Sequence, residues 1–273
     1  MFKDNVQAQR FELKYLLTED VAVAVREFVS SYLEMDEYSV GRPDNSYPNH
    51  SIYLDSDDLR LYWDVINGNK NRYKLRLRYY DENPDAPVFF EVKRRCNDAI
   101  LKQRGPVRRE AVAMLLEGQL PAPEHLLSDN PKHLVAVQQF CQSMLDMRAA
   151  PKTHVAYLRE AWVSTADNSV RVTLDRDVCS VPHSTSNLPI RIENPVMPWR
   201  TMVILELKFT GRFPNWFREL VQVFGVMQTG VAKYAEGVAL AGGEGLSLCP
   251  MPEGQDLVEK FLRRRRSATH ATN

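Results

Sequence analysis

The sequence has little cysteine, no long apolar run and no net charge. Its four cysteines, Cys96, Cys141, Cys179 and Cys249, lie far apart in 273 residues. No C-x-x-C pair occurs, which argues against a zinc knuckle or a thioredoxin-like centre and is the ordinary pattern of a reduced, intracellular chain. No stretch approaches the roughly 18 apolar residues that a bilayer-spanning helix needs. The opening MFKDNVQAQRFELKY lacks the apolar centre of a signal peptide. The expectation is therefore a cytoplasmic chain whose contact with a membrane, if any, runs through a partner protein. Lysine plus arginine number 35 and aspartate plus glutamate 35, so no global charge draws the chain to nucleic acid or lipid. Any anion site has to be a local concentration of cations.

What is present is enough apolar material, 44% of residues, for a sizeable core. One domain over residues 1–245 is expected, followed by a polar and basic tail over 246–273 that ends in KFLRRRRSATHATN. Residues 9–16 read as a strand. Thr18 caps a helix to about Glu34, with Val21, Val25, Phe28, Val29, Tyr32 and Leu33 at helical spacing. A short strand at Ser51–Leu54 and a helix opening near Ser56 or Asp57 follow. NPDAP joins two strands into a hairpin, and TADN joins two more. Helices are expected from about Pro131 to Met147 and from about Pro214 to Phe224, on either side of the strand MVILELKFT.

The strands share a pattern. In KLRLRYY, Lys74, Arg76 and Arg78 fall on one face and Leu75, Leu77 and Tyr79 on the other. RFELKY sets Arg10, Glu12 and Lys14 against Phe11, Leu13 and Tyr15, and FEVKRR sets Glu91, Lys93 and Arg95 against Phe90 and Val92. YLREAW carries Arg159, VRVTLD carries Arg171 with Thr173 and Asp175, and ILELK carries Glu206 and Lys208. About six strands thus have a charged, mostly basic face opposite an apolar one. If the amphipathic helices cover the apolar faces from outside, the charged faces look inward. The fold expected is α+β: a closed antiparallel β-barrel with a basic lumen and helices packed outside. Such a lumen must hold water and anions, because unpaired cations in a dry interior cost several kcal/mol each. Arginine forks and lysine point charges suit a chain of phosphates. Glu206 is either a metal ligand or, with Glu12, a salt-bridge partner of these cations.

In order along residues 9 to 240, the segments RFELKY, YLDSDDLRLY, KLRLRYY, FFEVKRR, YLREAW, VRVTLDRD, ILELK and AKYAEG resemble the polyphosphate polymerase (VTC) domains of the triphosphate tunnel metalloenzyme superfamily. The resemblance implies a tunnel of antiparallel strands in which Lys14, Arg76, Arg78, Lys93, Arg159, Arg171 and Lys233 bind the triphosphate of ATP or the growing inorganic polyphosphate chain. It implies Glu206 as the ligand of Mn2+ or Mg2+. Arg10, Lys74, Arg95, Arg104 and Lys208 are further substrate-binding candidates. The wider superfamily begins with E-x-E-x-K, whereas this chain has Arg10-Phe11-Glu12-Leu13-Lys14, a departure similar to the polymerase branch.

The activity expected is transfer of the terminal phosphate of ATP onto polyphosphate, which needs positioning and charge neutralisation rather than a nucleophile. His50 and His154 are accordingly read as structural. A tunnel tripolyphosphatase or nucleoside triphosphatase, and a binding module without turnover, are the alternatives. Nucleic-acid binding is disfavoured because no stacking aromatics interleave the basic faces.

Overall fold

The computed structural model describes residues 10–97, 99–165 and 169–242, and only the backbone of Arg10 and Ala99. The 246–273 tail and Cys249 lie outside the described residues. In chain order the elements are β1 (Arg10–Leu17), α1 (Glu19–Ser30), β2 (Glu34–Met35), β3 (Tyr47–Asp55), α2 (Arg60–Ile66), β4 (Asn71–Tyr79), β5 (Val88–Cys96), β6 (Ala99–Val107), α3 (Val112–Leu116), α4 (Pro131–Met147), β7 (Ala150–Val163), β8 (Val170–Pro182), β9 (Val203–Thr210), α5 (Asn215–Val223) and α6 (Lys233–Leu240).

All pairings are antiparallel, and the sheet runs β1-β9-β8-β7-β3-β4-β5-β6, with β2 added to β7. The expected hairpins β4/β5 and β7/β8 are both formed. The sheet curls far enough that Lys93 on β5 meets Glu12 on β1 at 3.0 Å. It is nevertheless not a closed barrel, which corrects the sequence expectation: β1 and β6 exchange no backbone hydrogen bonds among the described residues. Each outer edge is occupied partly by other chain. Tyr15 bridges Gln228 and the Thr229 N–H donates to the Lys14 carbonyl on β1. On β6, Val107 bridges Leu126 and the Leu127 N–H donates to the Pro106 carbonyl. Pro106 has no N–H of its own to offer a further strand.

The alternation places the apolar side chains outside. Leu75, Leu77, Tyr79, Phe90 and Val92 pack with Phe140, Val137 and Met144 of α4 and with Val112 and Leu115 of α3. Tyr15, Leu205, Leu207 and Val172 pack with Val25 and Val29 of α1 and Phe217 and Leu220 of α5. A second correction concerns α6. It lies on the concave side, where Tyr234, Ala235 and Val238, together with Tyr62 and Ile66 of α2, cover Tyr53, Val155 and Ile204 of the sheet. The inner face is thus apolar at one end, under α2 and α6, and charged elsewhere.

Local chemistry sets these helices. Asp55 accepts from the N–H groups of Leu61 (2.8 Å) and Tyr62 (2.9 Å), so it caps α2. It also accepts from the Ser56 N–H at 2.8 Å and from the Tyr234 hydroxyl at 2.6 Å, the latter tying α6 to β3. Asn130 accepts from the Lys132 N–H at 3.0 Å and Pro131 opens α4. The first helix stops at Ser30 rather than near Glu34, because Glu34 and Met35 pair with Val163 and Trp162 as β2.

Candidate functional site

Four carboxylates and a larger set of cations converge on the charged part of the inner face. At the centre stands Glu206 of β9, 4% exposed. Its Oε1 lies 3.1 Å from Lys233 Nζ and 3.5 Å from Lys14 Nζ. Its Oε2 meets Lys208, Arg159 Nη2 at 3.3 Å and the Thr173 hydroxyl at 3.4 Å. Burial works to raise the Glu206 pKa, but the surrounding cations, led by Lys208, hold it well below the usual carboxylate range. Asp175, across from Arg159 in the β7/β8 register, takes two bonds of 2.7 Å from that guanidinium and a third contact of 2.7 Å from Lys233. Tyr157 lies under both cations, its ring 5.2 Å from the Arg159 guanidinium and 4.9 Å from Lys233.

Toward the β4–β6 side the balance turns cationic. Arg76 Nε donates to Glu91 at 2.7 Å, and Lys102 of β6 reaches the same carboxylate at 2.7 Å. Arg104 stands 3.9 Å from it. Lys93 and Lys14 share Glu12 at 3.0 and 3.2 Å. Two cations here have no carboxylate. Lys74 makes no ion pair among the described residues, and burial, reinforced by Lys14, Lys93 and Arg76 against an opposing pull from Tyr53, brings it down to about 8. Arg78 is 7% exposed and, among the described residues, donates only to the Tyr157 hydroxyl at 3.2 Å and leaves its Nε without a partner. A guanidinium this deeply buried with no carboxylate in contact keeps donor groups that an anion can meet.

Of the sequence-derived candidates, Lys14, Lys74, Arg76, Arg78, Lys93, Arg104, Arg159, Lys208, Lys233 and Glu206 are brought together on this face. Arg171 sits at its margin, on Asp36 at 2.8 Å and near the Tyr47 hydroxyl at 3.4 Å. Arg95 is exposed at the far end of β5, donating to the Asn97 carbonyl at 2.8 Å. Arg10 belongs to β1 by its backbone, opposite Thr210. Sequence reasoning missed Lys102, Tyr157 and the part played by Asp175. The signals were present: Lys102 and Arg104 alternate as Arg76 and Arg78 do, Tyr157 stands two residues before Arg159, and Asp175 two after Thr173. His50 and His154 lie on the opposite, helix-covered side, 3.1 Å apart, with the Tyr79 hydroxyl 3.3 Å from His154 Nε2.

As a metal centre the site is sparse. Among the described residues no three His, Cys, Asp or Glu side chains converge on one metal position. Both oxygens of Glu206 already have cationic neighbours. These residues fit only an ion that takes one or two carboxylate oxygens and completes its shell from a phosphate ligand, which is the ordinary mode for magnesium.

Fold and site together define a class: a helix-backed, curled antiparallel sheet whose inner face is an ion-paired cleft with a surplus of cations. The family profile described as VTC domain matches residues 9–241. The chain belongs to the VTC domain family. Among curated proteins it is similar to vacuolar transporter chaperone complex subunit 2 of Schizosaccharomyces pombe, with 23% identity over 233 residues, covering 73% of this chain and 32% of that protein. It is also similar to subunit 4 of the same complex, with 26% identity over 204 residues, covering 63% of this chain and 28% of that protein. The match therefore spans about a third of these relatives' length. A solved structure, the PH1819 protein from Pyrococcus horikoshii OT3, aligns with 83% of this chain and 96% of its own at 13% identity and a TM-score of 0.42.

Proposed function

We propose that this domain is a polyphosphate polymerase, transferring the terminal phosphate of ATP onto an inorganic polyphosphate chain held in the cleft. The observation that carries the reading is the surplus positive charge around Lys74 and Arg78, two inward cations without a carboxylate, beside the ion-paired cluster of Arg159, Asp175, Lys233 and Glu206. Lys74, Arg76, Arg78 and Lys93 would hold phosphate oxygens. Arg159 and Lys233, oriented by Asp175, would face the phosphate in transfer and neutralise its developing charge. Mn2+ or Mg2+ would arrive with the phosphates, with Glu206 as its protein ligand, and when bound it would offset charge on the phosphate oxygens. The relatives are named as complex subunits, so a partner protein belongs to the proposal.

A second reading is hydrolysis of the triphosphate by water. It is favoured by the closeness of three carboxylates, since Lys14 links Glu12 to Glu206 and Arg159 links Asp175 to Glu206. One experiment separates them: purified protein with ATP and manganese, its products run on a gel stained for polyphosphate. Ladders of long chains support synthesis, orthophosphate alone supports hydrolysis, and unchanged ATP removes both in favour of binding without turnover.

A further inference from the structure

The cleft has an unusual set of outlets. One end is covered by α2 and α6, whose Tyr62, Ile66, Tyr234 and Val238 pack on the inner face. A chain longer than the cleft must leave by the opposite end or over the edge where β6 fails to pair with β1. Across that gap Lys93 of β5 pairs with Glu12 of β1, a link that an incoming phosphate can compete away. The outer side of the same edge is cationic. Lys102 and Arg104 both reach Glu91 inside the cleft, and both also line a groove of about 510 Å³ between β6 and α4. Lys132 and His133 line it from the helix, and none of its lining residues is acidic. Lys132 is exposed and makes no ion pair among the described residues. Gly105 lets β6 and α4 approach closely beside this groove: a Cβ there would stand 2.6 Å from the His133 carbonyl oxygen.

We propose that the β6–α4 groove is a second polyanion site, along which the distal part of a phosphate chain leaves the cleft sideways over the open edge of β6. The inference rests on the phosphate-chain reading above and adds to it a path and a further cation, Lys132. Lys102 and Arg104 are the crossing point, since both reach Glu91 in the cleft and both residues border the groove. Lys132 then continues the positive lining outward. A short ligand ends inside the cleft and never reaches it.

The test compares tripolyphosphate with linear polyphosphate several times longer than the cleft, using Lys132→Glu. A glutamate in the first turn of α4 suits the helix, so the variant should melt like the parent. Expected are an unchanged affinity for tripolyphosphate, a long-chain affinity lower by about threefold or more, and a shallower dependence on salt. A long chain blocked at both ends by bulky groups should still bind, because lateral exit requires no threading. Equal long-chain affinity in variant and parent, or loss of binding on end-blocking, overturns the groove. If tripolyphosphate fails to bind the parent, the phosphate-chain reading itself falls and the groove with it.

Discussion

Arg159 and Asp175 lie opposite one another on β7 and β8 and are joined by two parallel bonds of 2.7 Å, Nε to Oδ1 and Nη2 to Oδ2. Asp175 is fully buried and Arg159 is 8% exposed. The carboxylate also holds Lys233, so one aspartate fixes two cations from different elements. Asp175→Asn removes a charge from a buried cluster and should destabilise the fold by about 3 kcal/mol. Tripolyphosphate should then raise the melting temperature more in the variant than in the parent, since it replaces the missing anion. An equal rise in both proteins would separate Asp175 from ligand binding.

Glu206 is where ligand and salt-bridge roles make different demands. As a metal ligand, Glu206→Gln should abolish manganese-dependent ATP turnover while polyphosphate still binds. Turnover within about threefold of the parent, ~0.7 kcal/mol in the barrier, would leave Glu206 as a partner of Lys14, Lys208, Lys233 and Arg159 alone.

The two faces of β4 offer paired variants. Arg76→Ala and Arg78→Ala should each weaken triphosphate binding by at least ~1.5 kcal/mol in calorimetry, without loss of fold. Leu77→Glu places an unpaired carboxylate among the fully buried side chains under α3 and α4 and should abolish soluble expression.

Acid should loosen the outer face before the cleft. Burial lowers His50 from 6.5 to about 4, and burial with the neighbouring His50 and His183 lowers His154 to about 3. Both rings are neutral when folded, so the unfolded chain binds more protons below pH 6.5. The stability they contribute is complete above pH 6.5 and declines as pH falls toward 4, by up to about 1.4 kcal/mol per pH unit for each ring. Glu12 and Glu91, whose pKa values are depressed by their cations despite burial, add their losses only below 4.5. Melting temperature measured from pH 7 to 5 should drop in the parent and drop less in a His50→Asn, His154→Asn double variant.

Packing also fixes how far Lys233 reaches. A Cβ on Gly237 of α6 would stand 2.8 Å from the Ser180 Cβ on β8. Gly237→Ala should cost about 1–3 kcal/mol in chemical denaturation, and Ser180→Gly in the same chain should restore part of it.

Most of the inner face was legible because a period of two is written in single segments: KLRLRYY carries both its cations and its leucines, and the structure puts Leu75 and Leu77 under α4 and Arg76 on Glu91. α4 was legible from its ends, with Asn130-Pro131 before it. What failed was closure. Whether β1 meets β6 depends on Gln228 and on Leu126 to Leu127, remote segments that occupy the edges and leave no periodic trace. β6 itself was unread because Gly105 and Pro106 interrupt it, although Gly105 is what admits α4. The side taken by α6 was hidden for a similar reason, as the Tyr234 to Asp55 bond that holds it joins residues 179 positions apart.

The carboxylates built into the cleft change what occupying it means. Glu12, Glu91, Asp175 and Glu206 serve as resident counterions, so under the proposed function most cations would meet a phosphate only by letting go of a neighbour. Binding is then an exchange of one anion for another rather than the filling of a bare positive slot. Such an exchange is shallow and readily reversed. A polyanion touching many cations can therefore advance by local swaps, a few contacts at a time, where a cleft of unpaired lysines and arginines would hold it fast.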